Sequence, residues 1–474
     1  MNAAHRPRAF AAVDLGATSG RVMIGRVGTD VLELEQVARF PNGPVRCADG
    51  LHWDFEMLVD HVIAGLAEAV RREPAIESIG IDTWAVDYGL LRGDALLAEP
   101  FHYRDERGAR GADLVHARVP FAELYPRNGL QFLPFTSLYQ LAADERAAEA
   151  ETLLLIPDLL AHRLTGARVA ERTNASTTGL LGVHDREWDL ALAERIGIRP
   201  ALLPPLVDPG ARIGRLLPAI AARIGADLPV VAVGSHDTAS AVAAAPLASP
   251  STAYISCGTW GLVGLETTEP VLTDAARDAG FTHELGVDGR IRFLHNVAGL
   301  WLLSETVRAW EGEDGAPIDL PALLDAAAAS PEVPLFDAND PSVGSPGDMP
   351  ARIAAVVRAT GAEPPSERAA FVRMIVESIA QAFADAVSTA SALTGTAIEA
   401  IDLIGGGSLN RLLCQATADR TGLPVLAGPV EATALGNVLV QARAVGAFGA
   451  DAPLEELRGL VRRTHPPTRW VPRG

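Results

Sequence analysis

A chain of 474 residues exceeds one ordinary domain and implies two or three compact units. Hydrophobic residues make up 48% and charged residues 21% of it, the balance of a soluble globular protein and not of a disordered one. The formal charge of −19 argues against nucleic acid or an anionic membrane as the main partner, yet allows an anionic nucleotide held locally by backbone N–H groups, arginines and a divalent metal.

All 40 basic residues are arginine, which removes a P-loop, a protein-kinase site and any Schiff-base mechanism, since each needs a lysine amine. The first apolar run, Phe10 to Val13, stops at Asp14, and no run approaches the ~18 apolar residues of a membrane span, so neither a span nor a signal peptide is expected and the cytoplasm is the expected location. Cys47, Cys257 and Cys414 are read as scattered reduced thiols and not as a disulfide framework or zinc site.

In chain order, Ala9 to Leu15 and Arg21 to Val27 read as strands around a Gly16-Ala17-Thr18-Ser19-Gly20 turn, followed by a strand from Val31 to Phe40. Asp54 precedes Phe55, Leu58, Val59, Val62, Ile63, Leu66 and Val70, whose spacing predicts a helix capped by that aspartate. Strands are predicted at Ser78 to Asp82, Tyr88 to Leu91 and Val230 to Val233, the last leading into Gly234-Ser235-His236-Asp237-Thr238 and a helix of small residues. Pro246 and Pro250 break that helix, which sets the expected boundary between domains 1–246 and 247–474.

The second half repeats the grammar. Strands at Ala253 to Ser256 and Gly261 to Leu265 flank a turn with Gly258 and Thr259; a strand follows at Arg290 to Leu294 and a helix at Gly299 to Trp310. The span 311–350 is a Pro/Gly-rich excursion around a short helix at Leu320 to Ala329. A long helix from Ala369 to about Leu393 leads to a strand at Ile398 to Ile404 and the Gly405-Gly406-Gly407-Ser408 turn, and the stretch after Arg462 is expected to be a surface tail.

Four constellations carry chemistry. At Asp14-Leu15-Gly16-Ala17-Thr18-Ser19-Gly20-Arg21 small residues let backbone N–H groups and two hydroxyls meet phosphate, with Asp14 placed to hold metal-bound water; a plain glycine-rich hairpin fits the same string. Ser256-Cys257-Gly258-Thr259-Trp260 offers a second such turn with Thr259 as the donor, though taken alone a plain hairpin fits it better. Gly405 to Asn410 could admit a nucleoside, or a dinucleotide were it not for Asn410 in place of the third glycine. Asp237, after a buried strand, can act as general base toward a hydroxyl, or simply cap its helix.

Taken in order, these turns resemble the actin, hexokinase and FGGY-kinase superfamily. Ser78-Ile79-Gly80-Ile81-Asp82-Thr83-Trp84, His102 to Asp105, Gln131 to Phe135, Arg172 to Thr178, Ser235 to Ala241, Gly299 to Leu303 and Gly428 to Ala432 resemble the FGGY carbohydrate kinases that act on L-rhamnulose. The resemblance runs from about Ala12 to Gly446. It implies an α/β fold of two actin-like, ribonuclease-H-like lobes around a central nucleotide and sugar cleft, and transfer of the ATP γ-phosphate to the 1-hydroxyl with Mg²⁺ as the metal. It further implies Asp237 as base; Asp14, Ala17, Thr18, Ser19, Gly20, Arg21, Thr259 and Gly406 at the nucleotide, Asp14 reaching the metal through water; and Ala85, His236, Asp237, Thr238 and Asn296 at the sugar.

Three departures bear on which sugar is taken. Ala85 stands where the family usually has glycine, Ser304 where it has glutamine, and Thr282-His283-Glu284-Leu285-Gly286 where it has Thr-Asn-Glu-Gly-Gly. Xylulose, fuculose or glycerol phosphorylation, and a catalytically silent binding protein on the same fold, are the rival readings.

Overall fold

The computed structural model describes residues 6–344, 347–449 and 452–473. The chain divides into two compact units: Met1–Ala244 with Thr267–Arg292 and Ala432–Thr464, and Ala245–Glu266 with Phe293–Glu431 and His465–Gly474. The chain leaves the first unit at Ala244 and returns to it twice.

In the first unit, the strand Arg8–Leu15 is buried along almost its whole length, as a strand covered on both faces must be. It pairs antiparallel with Ser19–Gly28 and parallel with Ile76–Thr83. The full order is Arg212–Arg215, Pro229–Val231, Ile76–Thr83, Arg8–Leu15, Ser19–Gly28, Val31–Pro41. Alternation along the central strand sorts its side chains: Ala9, Ala11, Val13 and Leu15 join the core formed with Phe55, Leu58, Val62 and Leu66, while Phe10 and Ala12 join Leu435, Val438 and Leu439. The helix Phe55–Arg72, which carries Phe55, Leu58, Val62 and Leu66, is capped as the sequence predicts, Asp54 Oδ1 accepting the Met57 N–H at 3.0 Å.

Three parallel neighbours, Arg8–Leu15, Ile76–Thr83 and Pro229–Val231, bring their carboxyl ends to one edge, the place where α/β sheets present ligand-binding residues. Asp14 lies beside Asp82 in register, and Thr83 forms a parallel bridge with His236. The strand predicted to reach Val233 ends at Val231, and the helix Asp237–Ala243 begins at Asp237 itself, with His236 at the capping position. That helix packs on Ala432–Ala444 at Gly436, where a Cβ would stand 1.8 Å from the Ser240 carbonyl oxygen.

The second unit takes in Phe293 to Val297 of the strand Ile291–Val297 and Gly261 to Glu266 of Gly261–Thr267, and the strand order is Ile291–Val297, Gly261–Thr267, Thr252–Cys257, Ala400–Ile404, Val425–Ala427, Thr468–Trp470. Thr252–Cys257 is antiparallel to Gly261–Thr267 and parallel to Ala400–Ile404, so the hairpin turn at Gly258–Trp260 and the end of Ala400–Ile404 meet at one edge. The long helix predicted from Ala369 spans Arg368–Thr394, and the short one inside the excursion is Leu320–Ala329. The helix expected from Gly299 starts at Trp301, because Gly299 is pressed against the Trp260 backbone, 2.6 Å from where its Cβ would be. The carboxyl-terminal stretch is not a surface tail: Thr468–Trp470 pairs antiparallel with Val425–Ala427 as an edge strand. Pro466, Pro467 and Pro472 flank it without interrupting it, as prolines at a strand's margin can.

The Gly436 contact yields a stability test. Gly436→Ala forces the two helices apart against backbone, and the expected cost is about 1–3 kcal/mol, read as a lower unfolding midpoint in thermal denaturation; an unchanged midpoint would contradict the packing described.

Candidate functional site

The turn at residues 15–20 is tied inward through its carbonyls. Ser19 O accepts the Gly16 N–H at 2.9 Å, Thr18 O accepts the Asn42 N–H at 3.1 Å, and Gly16 O accepts Asn42 Nδ2 at 2.8 Å. Those bonds occupy the carbonyls of Gly16, Thr18 and Ser19, and Thr18 is the exposed residue of the turn. Asp14 is buried beneath it and accepts from Arg21 Nη2 at 2.6 Å. Asn42, which supports the turn twice, escaped the sequence reading because it sits 26 positions from the glycine it holds.

Asp82 is fully buried next to Asp14 and accepts from Asn437 Nδ2 at 2.6 Å, and Asn437 Oδ1 in turn accepts Gln441 Nε2 at 2.7 Å. Burial first, then the negative charge of Asp14 and of Asp237, pushes the Asp82 carboxyl well above the usual range. Three carboxylates thus feel one another at this edge. A divalent cation relieves that repulsion, so the donor chemistry fits one; among the described residues no three His, Cys, Asp or Glu form a ready-made ligand cluster, which leaves most inner ligands to water and phosphate oxygens.

The segment before Asp237 is fixed by a buried acid. Glu171 accepts from Ser235 N at 3.0 Å, Ser235 Oγ at 2.8 Å, Thr173 N at 2.8 Å and Thr173 Oγ1 at 2.5 Å. Ser235 O accepts the Thr83 N–H at 2.9 Å and Asn174 Nδ2 at 3.3 Å. On this footing Asp237 sits at the first turn of its helix with a side chain 31% exposed. Its Oδ1 accepts the Thr238 N–H at 2.6 Å and Thr238 Oγ1 at 3.1 Å. His236 Nε2 stands 3.4 Å from the same oxygen. Asp237 does not cap the helix for its neighbours further along; the capping position belongs to His236, whose side chain makes no cap bond.

Ala85 lies in a tight reversal. The Asp87 N–H donates to Ala85 O at 2.9 Å, and Val86 between them has φ 68°, a γ-turn that a β-branched residue enters only under strain. Asp87 holds it: its Oδ2 accepts from Trp53 Nε1 at 2.7 Å, Trp84 Nε1 at 3.1 Å and the Tyr103 N–H at 3.1 Å, and its Oδ1 accepts from Gln140 Nε2 at 2.9 Å. Ser137 Oγ donates to Val86 O at 2.5 Å. Ala85 is therefore half-buried on a stiff, aromatic-backed support. Of the other departures, Ser304 is exposed on the helix Trp301–Asp314. His283 Nδ1 donates to Gly129 O at 2.9 Å and its Nε2 accepts the Val271 N–H at 2.9 Å, the donor and acceptor pair an asparagine amide would also supply.

In the second unit, Thr259 stands in the turn where the Gly258 N–H donates to Trp260 O at 2.9 Å, and Thr259 O accepts the Trp301 N–H at 3.1 Å. Gly405 has φ 83° and ψ −169°, a conformation left to glycine. Gly407 lies against Cys257, whose Sγ is 2.4 Å from the ideal Cβ position, while Gly406 has open space there. The Thr259 and Gly406 turns are thereby neighbours through Cys257. Asn296 is half-buried on Ile291–Val297. Each candidate thus falls near the end of a strand, in a turn or, for Asp237 and Thr238, in the first turn of a helix, within its own unit. Sequence reasoning missed Asn42, Asp87, Glu171 and Asn437 as supports; Glu171 had a signal nearby, preceding the Arg172 to Thr178 string, and so did Asp87, two residues after Ala85.

Residues 9–244 match the amino-terminal domain, and residues 253–445 the carboxyl-terminal domain, of the FGGY family of carbohydrate kinases. The chain belongs to that family, and its two-domain α/β architecture of actin-like type is the family's. It is 39% identical over 467 residues to a rhamnulokinase of Bacteroides thetaiotaomicron, covering 97% of this chain and 96% of the relative. A rhamnulokinase of Klebsiella pneumoniae subsp. pneumoniae is 39% identical over 471 residues, covering 97% and 94%. Among solved structures, a ligand-bound xylulose kinase from Lactobacillus acidophilus superposes with TM-score 0.79 at 16% identity, covering 98% of this chain and 94% of that one. Plasmodium falciparum glycerol kinase with ADP gives 0.78 at 14%, with the same coverage.

The support under Ala85 has a pH signature. Burial outweighs the hydrogen bonds from Gln140, Trp53 and Trp84 and pushes the Asp87 carboxyl from 3.8 to about 6. The folded state then binds more protons than the unfolded state between those values, so this group's contribution to stability falls as pH rises from about 4 to about 6. Subtracting the denaturation free energies of Asp87→Asn from those of the wild type across that interval isolates the component, and a difference that is flat or rises with pH would refute the assignment.

Proposed function

We propose that this kinase transfers the γ-phosphate of ATP to the 1-hydroxyl of L-rhamnulose, giving L-rhamnulose 1-phosphate and ADP. The observation that carries the reading is 39% identity to rhamnulokinases sustained over 97% of the chain, joined to a carboxylate at Asp237 with one oxygen free to act. Asp237 Oδ1 is held by Thr238 and faced by His236, and Oδ2 has no hydrogen bond within the described residues. In this reading Oδ2 takes the proton of the primary hydroxyl as the oxygen forms its bond to phosphorus and the ADP oxygen departs with the old bond's electron pair.

The remaining roles follow the chemistry of each turn. Ala17, Thr18, Ser19, Gly20 and Arg21 meet the phosphates, with Thr259 as a further donor and Gly406 beside the nucleoside. His236, Thr238, Asn296 and the backbone at Ala85 meet the sugar. Asp14 would hold Mg²⁺ through water, and the metal would neutralise phosphate charge that an acidic protein without lysine otherwise leaves to arginine. No helix among the described residues is long and apolar enough to cross a membrane, and we place the enzyme in the cytoplasm.

A coupled ADP-release assay over ketoses, aldoses and glycerol tests the substrate. L-rhamnulose is expected to give the largest kcat/KM; preference for xylulose, fuculose or glycerol would reassign the sugar, and no turnover with any of them would favour a silent binding protein. Asp237→Asn is expected to lower kcat by about 10²–10⁴ with ATP binding by calorimetry nearly unchanged. Near-wild-type turnover in that variant would remove Asp237 from its role. Chelation of divalent metal is expected to abolish turnover, with recovery on adding Mg²⁺.

A further inference from the structure

Behind His236 lies a buried ion pair that the reaction as described does not use. Arg292 is fully buried, a rare placement for arginine. Its Nη2 donates to Glu284 Oε2 at 2.9 Å and to Leu285 O at 3.2 Å. Glu284 is also buried, and its Oε2 stands 3.1 Å from His236 Nδ1; Arg292 Nη2 reaches the same nitrogen at 3.1 Å. Burial opposes the charge on Glu284, but Arg292 and His236 outweigh it and hold the carboxyl at about 2. The pair therefore stays ionised and neutral overall.

A buried pair of this kind is a poor means of gaining stability, since two apolar side chains of the same volume do as well. Its effect here is directional. Nδ1 of His236 either donates to Glu284 or accepts from Arg292, according to the tautomer, and either bond holds the ring with its Nε2 edge toward Asp237 Oδ1 at 3.4 Å. With Thr238 on the same oxygen, the base carboxylate is held on one side and offers the other. Glu284 and Arg292 come from the segment 267–292, which belongs to the same unit as Asp237, so the arrangement is intrinsic to that unit.

We propose that Glu284 and Arg292 are positioning residues for the phosphoryl-transfer step, acting through the His236 ring to fix the Asp237 carboxylate in the orientation that accepts the sugar proton. The inference rests on the kinase reading above. It assigns neither residue a contact with sugar or nucleotide.

The test is a cycle between the pair and the ring. The neutral amide variant Glu284→Gln with Arg292→Gln is made in the wild type and in His236→Asn, and kcat and both KM values are measured for the ketose and ATP. Disturbing a group that orients a functional side chain costs about tenfold to hundredfold, and that loss is expected in kcat with the KM for ATP unchanged. In the His236→Asn background the pair variant is expected to add almost nothing, because its route is already cut. Wild-type kcat in the pair variant would overturn the proposal, and an equal further loss in His236→Asn would overturn the route through the ring. If the double variant does not purify as a folded protein, Arg292→Lys keeps the charge and loses the planar fork; a lowered kcat there supports the proposal and an unchanged one overturns it. Failure of the wild type itself on every sugar would instead sink the kinase reading, which keeps the two outcomes apart.

Discussion

One buried carboxylate carries much of the arrangement. Glu171 is about as inaccessible as a side chain can be, and a charge in such a place persists only when donors surround it. Those donors are backbone and side-chain groups of Thr173, Asn174 and Ser235, two stretches more than sixty residues apart in sequence. By satisfying them together, Glu171 locks the turn before Asp237 to the Arg172–Thr178 segment. The turn is also bonded to the end of Ile76–Thr83 through Thr83 and Ser235. Burial still pushes the Glu171 carboxyl above its ordinary value despite those bonds, so the cost of placing it there is real and its contacts must offset it.

From that anchor the electrostatics of the sheet edge follow. Asp14 and Asp82 lie on neighbouring parallel strands and Asp237 opens the helix that follows a third, and both of the others push the Asp82 carboxyl upward. Arg21 offsets Asp14, Asn437 solvates Asp82, and His236 faces Asp237. An acidic cluster so arranged suits chemistry in which a cation and a phosphoryl group arrive together, and it does so in a chain whose only permanent cations are guanidiniums.

Much of this was legible in the sequence where the signal is local. The strand, turn and strand around Gly16–Gly20, the helix capped by Asp54 and the Leu320–Ala329 helix all carry short-range periodicity or capping chemistry, and each appears close to its predicted bounds. The candidate residues could be named because small residues and hydroxyls after apolar strands are themselves a pattern. What stayed hidden depends on distant partners. Asn437, Glu284 and Arg292 are ordinary polar residues until the segments 267–292 and 432–464 fold back onto the first unit, and no local pattern announces that return. The edge strand at Thr468–Trp470 was hidden by the prolines on either side, which read as loop although three of the four residues between Pro467 and Pro472 pair. Val86 could not be foreseen either, since nothing in Trp-Ala-Val-Asp marks a positive φ at valine.

The central claim is that the Asp237 carboxylate meets the hydroxyl that becomes phosphorylated. A crystal structure of the wild-type enzyme with L-rhamnulose and a non-hydrolysable ATP analogue measures this directly. The account predicts the 1-hydroxyl oxygen within about 2.6–3.2 Å of Asp237 Oδ2. A bound ketose whose primary hydroxyl instead addresses another side chain, with Asp237 turned away from it, would contradict the account.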